Sequence, residues 1–368
     1  MTTLDSLTLS RYPEDRSGTL VAADAADRYL LQQSAQTPTD TAPLIINDSF
    51  GALACGLHAR SPHSWGDSWL AWQALQNNLH ANQLDPAAVQ FFPSQRLPNG
   101  PYQQVLLRIP KSLALLEQQL FQLRPLLAPG AQVIAGAMLK HLPPSAGDLL
   151  VRYIGPYQAS LAWKKARLLT ATFDPALQAH TPAANPRYAL EGTSLALDNF
   201  PGVFSRERLD IGTRVLLGQL PRDIGNGHII DLGCGNGALG IMAAWQNPDA
   251  QVTFIDESWA AVACAEHNFR QAFAQRPASF HVRDGVQHWD GPAADWILCN
   301  PPFHQQQVVG DLIARRLFAS SRRALQADGC LLVVGNRHLG YHRTLKRNFS
   351  RVEQVASHPK FVVLAARP

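Results

Sequence analysis

A run of alternating glycines most constrains what this chain can fold into. The run, Asp231-Leu-Gly-Cys-Gly-Asn-Gly237, directly follows the apolar segment Gly227-His-Ile-Ile-Asp231 and precedes residues 238–246, which are typical of a helix. Glycine lets the backbone turn sharply and approach a ligand with no Cβ in the way. A strand, a glycine loop and a helix in this order are typical of nucleotide-binding α/β folds. We therefore predict an α/β fold with a cofactor loop at residues 231–237.

The segments after the loop continue the same alternation of strands and helices. Short apolar runs predict strands at 251–256, 280–284, 295–300, 330–334 and 361–365. Helices are predicted at 258–273 and at 312–325. This alternation favours a doubly wound, Rossmann-like sheet covered by helices.

Acidic residues end three successive predicted strands, beside the glycine loop. The Asp231 carboxylate can meet the loop or the ammonium end of an amino-acid cofactor. Asp256 is placed to accept from ribose hydroxyls, and Asp284 can accept from an adenine amino group. For Asp256 and Asp284, capping of the following helix or turn is the alternative. The predicted cofactor-binding residues are Asp231, Gly233, Gly235, Gly237, Asp256, Asp284 and Asn300.

The motif Asn300-Pro301-Pro302-Phe303 ends the strand predicted at 295–300. An exocyclic amino group on a base is a poor nucleophile, because its lone pair is delocalised into the ring. Two acceptors, the Asn300 side-chain oxygen and the Pro301 carbonyl, can bind its hydrogens and direct the lone pair toward a methyl group. Pro301 and Pro302 stiffen the turn, and Phe303 offers a face on which a flipped-out base can stack. We predict that these four residues form the catalytic motif.

The glycine loop and the Asn-Pro-Pro-Phe motif, in this order, predict an S-adenosylmethionine-dependent N-methyltransferase. Catalysis of this kind rests mostly on positioning, so neither a strong general base nor a metal ion is expected. For the loop alone a nicotinamide cofactor is the alternative, and the motif that follows argues against it.

The N-terminal half repeats the same plan in degraded form. Leu44-Ile-Ile-Asn-Asp48-Ser-Phe-Gly51 parallels the strand and loop that end at Gly237, with two loop residues and two glycines missing. Ser68-Trp69 and Asn78 match Ser258-Trp259 and Asn268 at the same offset. In this alignment Asp67 takes the place of Asp256 and Ile109 that of Asn300. Chance similarity is the alternative to duplication.

We therefore predict two tandem Rossmann-like domains of the class I methyltransferase type, the first of them degenerate. The Pro- and Ala-rich stretch 181–186 is the expected linker. Residues 1–186 form the degenerate domain in this prediction, and residues 187–368 form the catalytic domain that binds S-adenosylmethionine.

Two further segments are candidates for contact with a substrate. The first segment, which contains Phe204 and Arg206 and continues through Asp210-x-Gly212-Thr213, precedes the first strand of the second half. A segment there can close over the cofactor and the target base; an ordinary helix start is the alternative. Residues 315–351, which include Arg337, are strongly basic, and Asp328 is their only acid. Such a run is typical either of a phosphate-binding surface or of a solvated helix face.

Composition narrows the class further. The chain has 368 residues, 46% of them hydrophobic, which suits two packed domains. We expect no membrane span, because no run of about 18 apolar residues occurs, and no secretory signal is recognisable. The five cysteines lack a metal-ligand spacing, which favours reduced thiols in a cytoplasm and no metal site. The net charge of +4 is compatible with a nucleic-acid partner.

The chain resembles the RlmG family of large-subunit ribosomal RNA guanine-N2 methyltransferases, to which the small-subunit RsmC family is related. The segments that carry the resemblance are Ala25-Ala-Asp-Arg-Tyr-Leu30, Lys111-Ser-Leu-Ala-Leu-Leu-Glu-Gln-Gln-Leu120, Leu161-Ala-Trp-Lys-Lys-Ala-Arg167, Gly202-Val-Phe-Ser-Arg206, Cys299-Asn-Pro-Pro-Phe-His-Gln-Gln306, Asn336-Arg-His-Leu339 and Lys360-Phe-Val-Val-Leu364.

The resemblance implies methylation of the exocyclic N2 of a guanosine in large-subunit (23S) ribosomal RNA. It also implies that only the second domain binds S-adenosylmethionine and that the first helps to hold RNA. Lys164, Lys165 and Arg167 are then candidate RNA contacts, with a solvated edge as the alternative. We expect the protein to act as a monomer.

Three other functions stay open at this point. A small-subunit (16S) RNA specificity would keep every catalytic residue and differ only in its RNA contacts. A protein glutamine methyltransferase uses a similar motif on a side-chain amide. A non-catalytic RNA-binding assembly factor is the alternative from another class, although such a protein has no need of an intact Asp231 loop together with Asn300.

Overall fold

A computed structural model describes residues 4–14, 20–37, 39–178, 180–302 and 307–368. Phe303, one of the predicted catalytic residues, lies outside the described residues. The chain forms two compact units, Met1–Ala184 and Asn185–Pro368, and each has its own sheet and its own buried core. The boundary between the units falls within the stretch 181–186 that we predict as a linker.

The first unit is a mixed α/β layer structure. Its strands are β1 (Leu44–Ile46), β2 (His63–Gly66), β3 (Gln90–Pro93), β4 (Tyr102–Arg108), β5 (Leu127–Met138), β6 (Tyr157–Ala159) and β7 (Ala166–Thr172). Its helices are α1 (Ala25–Gln36), α2 (Ala52–Gly56), α3 (Trp69–Ala81), α4 (Leu113–Leu123) and α5 (Ala146–Tyr153). The strands form one sheet in the order β3-β2-β1-β4-β5-β7-β6, in which only the pairs with β7 are antiparallel.

The second unit opens with the small hairpin of β8 (Arg187–Ala189) and β9 (Ala196–Asp198). Its main strands are β10 (His228–Leu232), β11 (Gln251–Asp256), β12 (Ser279–Val282), β13 (Ala294–Cys299), β14 (Leu325–Asn336), β15 (Arg351–Ser357) and β16 (Phe361–Arg367). Its helices are α6 (Ile211–Leu217), α7 (Ala238–Gln246), α8 (Trp259–Phe273), α9 (Gln307–Ala324) and α10 (Tyr341–Leu345). The sheet order is β12-β11-β10-β13-β14-β16-β15.

The two sheets therefore have the same strand order, with the strand that leads into the glycine loop region third of seven and an antiparallel pair at one edge. This confirms the predicted fold class of two tandem Rossmann-like units. In both units the carboxyl ends of the parallel strands lie on one edge, which is where ligands bind in open α/β sheets.

Matching local signals start the corresponding helices in the two units. The Ser258 hydroxyl accepts from the Ala261 N–H at 3.0 Å at the start of α8, and Ser68 does the same for α3. These are ordinary N-caps, which satisfy a free N–H at the helix start. Gly237 and Gly51 precede α7 and α2 with φ of 86° and 74°, a conformation that favours glycine.

The backbone corrects the predicted alignment of the two glycine loops. Asn47 and Gly233 both have positive φ, 63° and 75°, and they directly follow β1 and β10, which occupy the same place in the two sheets. Gly51 and Gly237 come at the same distance after them. No loop residue is therefore missing from the first copy, and Asn47 occupies the place of Gly233. The prediction of two missing residues was wrong because it aligned residue types and not backbone conformations.

The same strand register also changes which residue of the first unit corresponds to Asp256. Asn47 donates its N–H to the Trp65 carbonyl, as Gly233 donates to the Ile255 carbonyl. The residues that follow these carbonyls are Gly66 and Asp256. Gly66 therefore takes the place of Asp256, and the prediction that Asp67 does so was wrong by one residue.

The register also shows which residue stands where Asn300 would be. Ile46 pairs with Leu107 between β1 and β4, and Leu232 pairs with Cys299 between β10 and β13. The next residue is Arg108 in the first unit and Asn300 in the second. The prediction that Ile109 replaces Asn300 was therefore wrong, because a strand alignment shifted by one residue reverses the faces.

Strand β15 and the long extension of β14 were not predicted. β15 lies at the sheet edge, and most of its residues are exposed, so it lacks the apolar run that signals a strand. The bounds of α7 and β11, in contrast, agree with the prediction to the residue, since glycine and aspartate mark their ends.

Candidate active site

The glycine loop of the second unit has an open face. Gly233 and Gly235 have φ of 75° and 54°, and a Cβ on either would meet no atom within 4 Å. Gly237 differs, since a Cβ there would lie 3.1 Å from Ala265 and from Ile241. Gly237 thus allows close packing between α7 and α8, whereas Gly233 and Gly235 leave open space beside the loop.

Asp256, at the end of β11, is bound to this loop. One carboxylate oxygen accepts from the Gly235 N–H at 3.0 Å, and the other accepts from the Ser258 N–H at 3.0 Å. The side chain is only partly buried. The predicted alternative, a cap on the following turn, is thus present in the structure, and the same carboxylate stays at the open edge of the sheet.

Asp231 lies under the loop and not on its open face. It is fully buried, and its Oδ2 accepts from the Gly240 N–H in the first turn of α7 at 2.8 Å. Burial, reinforced by the negative charge of Asp256, raises the pKa of Asp231 to about 8 against the opposing effect of the Gly240 N–H. Its role in the described contacts is to join β10 to α7; its contact with a cofactor ammonium group stays a prediction.

Asp284 follows β12 and forms an ion pair with Arg316 of α9. Arg316 was not among the predicted site residues, although it belongs to the predicted basic helix. The pair links the third acidic position to the helix that follows the Asn-Pro-Pro motif. The predicted hydrogen bond from an adenine amino group to Asp284 stays a prediction.

A network of buried amides supports the loop from the other side. The Asn236 Nδ2 donates to the Tyr188 hydroxyl at 2.6 Å and to the Asn199 Oδ1 at 2.7 Å. The Asn268 Nδ2 donates to the Asn236 carbonyl at 2.9 Å. These bonds hold the segment around β8 and β9 against the glycine loop. Sequence reasoning noticed Asn268 only as a repeat match, since partners so distant in the chain leave no local signal.

Asn300 follows β13 at the same edge of the sheet. Its Nδ2 donates to the Thr213 Oγ1 at 2.8 Å and to the Asp210 Oδ2 at 3.3 Å. Its Oδ1 is buried and has no hydrogen-bond partner in the described part of the chain. Pro301 is buried and Pro302 is exposed. Asp210 and Thr213 belong to the segment that the sequence places over the cofactor and the target base, but their contact with Asn300 was not predicted.

Phe204 and Arg206 lie on the segment between β9 and α6. Half of the Phe204 surface is exposed, which suits a stacking contact. Arg206 is mostly covered and pairs with Glu207 at 2.7 Å. Arg337, which follows β14, is exposed, and its guanidinium donates to the His358 carbonyl at 2.9 Å.

Lys164 and Lys165 form the tip of a hairpin in the first unit. Both are exposed, and both have positive φ, 46° and 64°. Trp163 and Ala166 pair across the turn, and the Lys164 ammonium lies 4.8 Å from the Trp163 ring centre. Arg167, on β7, is partly buried and its Nε has no partner among the described residues.

No group of three or more His, Cys, Asp or Glu side chains within the described ranges is placed to hold a metal ion. The five cysteines are all buried free thiols. In the portion of the chain that the structure describes, no helix has the length and apolar character needed to cross a bilayer.

The residues at this edge fit S-adenosylmethionine. The two open glycines offer a cradle that a Cβ would fill, and Asp256 presents a carboxylate beside it. At the end of a neighbouring strand, the Asn300 Oδ1, which has no partner among the described residues, can accept from the group that receives the methyl. A Rossmann-like sheet with this loop and an Asn-Pro-Pro sequence defines the class: the protein is an S-adenosylmethionine-dependent methyltransferase.

Comparison with known proteins narrows the class. The profile of the "RLMG N-terminal domain" matches residues 1–175, and that of the "Methyltransferase small domain" matches residues 194–365. The ribosomal RNA large subunit methyltransferase G of Pseudomonas putida (strain GB-1) is 53% identical over 364 residues, which cover 98% of this chain and 97% of that protein. The protein of the same description from Pseudomonas aeruginosa (strain UCBPP-PA14) is 52% identical over 366 residues, with the same coverage. The chain belongs to the family of ribosomal RNA large subunit methyltransferase G.

A solved structure shares the whole two-unit architecture. It is the T. thermophilus 16S rRNA N2 G1207 methyltransferase (RsmC) in complex with AdoMet and guanosine, with a TM-score of 0.78. The match covers 99% of this chain and 98% of that one, at 20% identity. At this identity the likeness supports the fold alone.

Proposed function

We propose that this protein transfers the methyl group of S-adenosylmethionine to the exocyclic N2 of a guanosine in large-subunit ribosomal RNA. The observation that carries the proposal is the Asn300 amide: its nitrogen is bound within the protein, and its buried oxygen has no partner in the described structure. The names of the relatives supply the substrate class, large-subunit ribosomal RNA.

The chemistry follows from the position of Asn300. A buried acceptor without a donor is unfavourable, so a bound amino group that donates to Oδ1 is favoured. That hydrogen bond draws the N2 lone pair out of conjugation with the base. The lone pair forms the new N–C bond as the methyl–sulfur bond breaks, and the surplus proton leaves to solvent. When bound, S-adenosylmethionine supplies the methyl group on a positively charged sulfur.

The cofactor-binding role is proposed for Gly233, Gly235 and Asp256, whose open or partly exposed groups line the edge of the sheet. Phe204 is proposed to stack on the target base, because half of its surface is exposed beside the segment that leads into α6. Gly237 and Asp231 are proposed to shape the loop from beneath.

A basic surface of the second unit is proposed to bind RNA phosphates. Exposed arginines of α9 and basic side chains of α10 and the turn after it form no ion pair within the described ranges. The two helices are in contact, since the rings of Phe318 and Tyr341 pack edge to face with centres 5.2 Å apart. The surface consists of Arg315, Arg322, Arg323, Arg343, Lys346 and Arg347.

In the first unit, the hairpin tip with Lys164 and Lys165 is proposed as a second phosphate contact, which gives this degenerate unit its role in RNA binding. We further propose that the protein acts in the cytoplasm, where its relatives' substrate class is made in bacteria. The monomeric state stays a prediction.

The experiment that tests the proposed function follows labelled methyl groups from S-adenosylmethionine into separated large and small ribosomal RNAs. The expected result is labelled N2-methylguanosine in the large RNA, identified by mass after digestion to nucleosides. Label in the small RNA or in protein would contradict large-subunit RNA as the substrate, but the protein would still be a methyltransferase. Bound cofactor with no label anywhere would favour an assembly factor.

The basic surface is tested by the salt dependence of RNA binding. Arg322→Gln with Arg323→Gln is expected to weaken binding and to reduce the slope of log K against log salt by about 0.7 to 0.9 for each phosphate that is no longer neutralised. Arg351→Gln is the matched control, because Arg351 is already paired with Glu353 at 2.6 Å. Equal effects in both variants would contradict the assigned surface.

A further inference from the structure

The orientation of the Asn300 amide is decided by its neighbours. An ionised carboxylate accepts hydrogen bonds and donates none, so the amide nitrogen must face the Asp210 Oδ2 at 3.3 Å. The Thr213 hydroxyl oxygen accepts the second bond at 2.8 Å. Both amide hydrogens are thereby used within the protein, and Oδ1 points away from them. A flipped amide would place its oxygen against the carboxylate, which electrostatic repulsion disfavours.

The residues around Asp210 are suited to fixing the orientation of the Asn300 amide. Asp210 is the N-cap of α6, and its Oδ2 accepts from the Thr213 N–H at 2.9 Å. Gly212 leaves room for that oxygen, because a Cβ there would come within 2.9 Å of it. The helix start therefore holds the carboxylate and the Thr213 side chain in a fixed relation. Thr213 is 7% exposed, so water does not readily replace the Asn300 hydrogen bond.

The first unit contains the same framework with different chemistry. Asp24 is the N-cap of α1, as Asp210 is of α6, and Asp27 stands three residues after it, as Thr213 does after Asp210. Arg108, which takes the place of Asn300, contacts Asp24 at 2.6 Å and Asp27 at 2.7 Å. A guanidinium has no acceptor to offer. The first unit therefore has the same contact between a helix start and a strand end, but Arg108 leaves no acceptor there. Asn300 keeps its Oδ1 without a partner among the described residues.

We propose that Asp210 and Thr213 are positioning residues that hold the Asn300 amide with its Oδ1 toward the amino group to be methylated. This rests on the proposed function, since it assigns the amino group of a base to the unpartnered oxygen. The pair also sets specificity at this point: the site accepts a hydrogen-bond donor and disfavours a base that presents an oxygen there.

Thr213→Val tests the proposal, because it removes the acceptor and keeps the shape of the side chain. The kcat for methyl transfer to large-subunit RNA is expected to fall about tenfold or more, with KM, cofactor affinity and melting temperature little changed. Thr213→Ser, which keeps the hydroxyl, is expected to return kcat to within about twofold of wild type. A wild-type kcat in Thr213→Val, or a loss that serine does not restore, would overturn the proposal.

Thr253→Val is the matched control, since it removes another buried hydroxyl, which is bonded to the His228 Nε2 at 2.9 Å between β11 and β10. It is expected to keep the wild-type kcat. In an Asn300→Ala background, Thr213→Val is expected to cause no further loss, because its effect passes through Asn300. A full additional loss in that background would show that Thr213 acts by another route and would overturn the assignment.

A readout without RNA separates this proposal from the proposed function. In protein labelled with nitrogen-15 at asparagine, the Asn300 side-chain amide is identified by its absence from Asn300→Ala. Slow exchange of its protons with solvent in wild type, and fast exchange in Thr213→Val, is the expected result. Equal exchange rates of the Asn300 amide protons in the two proteins would show that Thr213 does not hold this amide. That result would overturn the proposal, whichever RNA proves to be the substrate.

Discussion

In the proposed reaction Asn300 supplies one acceptor atom, Oδ1, because its Nδ2 donates to Thr213 and Asp210 within the protein. We expect Asn300→Ala to lower methyl transfer by about 100-fold or more, as loss of a preorganised hydrogen-bonding group at a reacting centre does. Cofactor binding and folding should be retained, because the sheet and the glycine loop are untouched. Single-turnover transfer and calorimetric titration with S-adenosylmethionine measure the two effects.

The control for that change is Asn77→Ala, which removes an exposed asparagine amide on α3 of the first unit. It should transfer methyl groups at the wild-type rate. Activity of Asn300→Ala close to that of this control would remove Asn300 from the reaction.

Asp231 makes the stability of the second unit depend on pH. Its folded-state pKa is raised to about 8, mainly by burial, above the ordinary value of 3.8. A raised pKa means that the folded state binds the proton more tightly, so this contribution is complete below the ordinary pKa and is lost as pH rises through the folded pKa. Between about pH 5 and pH 8 the wild type should therefore lose stability relative to Asp231→Asn.

Denaturant unfolding of both proteins across this range measures the difference. Asparagine keeps an oxygen that can accept from the Gly240 N–H and carries no charge, so the free energy of unfolding of Asp231→Asn lacks this pH dependence. Parallel pH profiles for the two proteins would show that Asp231 does not titrate in this range.

The hairpin tip of the first unit combines strain with positive charge. Two consecutive residues with positive φ favour Asn-Gly, and here both are lysines. Changing Lys164→Asn with Lys165→Gly should stabilise the first unit by about 1–2 kcal/mol, since the left-handed conformation disfavours lysine. The same change should weaken RNA binding, because two exposed cations are removed.

The pair Lys164→Ala with Lys165→Ala separates the two effects. It removes the charges and keeps residues that disfavour positive φ, so RNA affinity should fall without a gain in stability. Thermal unfolding and RNA titration at low salt check both variants. Unchanged RNA affinity in both double variants would contradict an RNA contact at the hairpin tip and would favour the alternative, a solvated edge.

At the scale of the whole molecule, the two units share one sheet architecture but differ in their chemical groups. The second unit has the open glycines, Asp256 and Asn300, and the corresponding positions of the first unit hold other residues. In the first unit Asn47 replaces Gly233, Gly66 replaces Asp256, and Arg108 is tied to two carboxylates. We predict that one S-adenosylmethionine binds per chain, and that Asp256→Ala abolishes this binding. Isothermal titration of the full-length protein gives the number directly.

Arg108→Asn in the full chain is the complementary change. It should create no second cofactor site, because the loop still lacks its open glycines. It should also destabilise the first unit, because the half-buried Asp24 and the buried Asp27 both lose Arg108, and a buried carboxylate without a cationic partner is unfavourable. A second bound cofactor in either protein would show that the first unit is not degenerate.

Much of the second unit was predictable because its ends are marked locally. Gly237 starts α7 and Asp256 ends β11, and both bounds were predicted to the residue. The alignment of the two halves was not predictable to the residue. Asp67 and Asp256 are the same residue type near the same serine cap, which suggested a match, but the strand register excludes it. Register is set by cross-strand hydrogen bonds, which the order of residue types does not contain.

The amino-acid sequence by itself determined the class of this protein, because the glycine loop and the Asn-Pro-Pro motif act through residues adjacent in the chain. Only the tertiary structure decided how Asn300 is used. Thr213 and Asp210 lie far from it in sequence, and the sheet brings their acceptors to its nitrogen. The free oxygen that results depends on a hydrogen-bond geometry between distant segments, and that geometry exists only once β13 and the start of α6 have packed together.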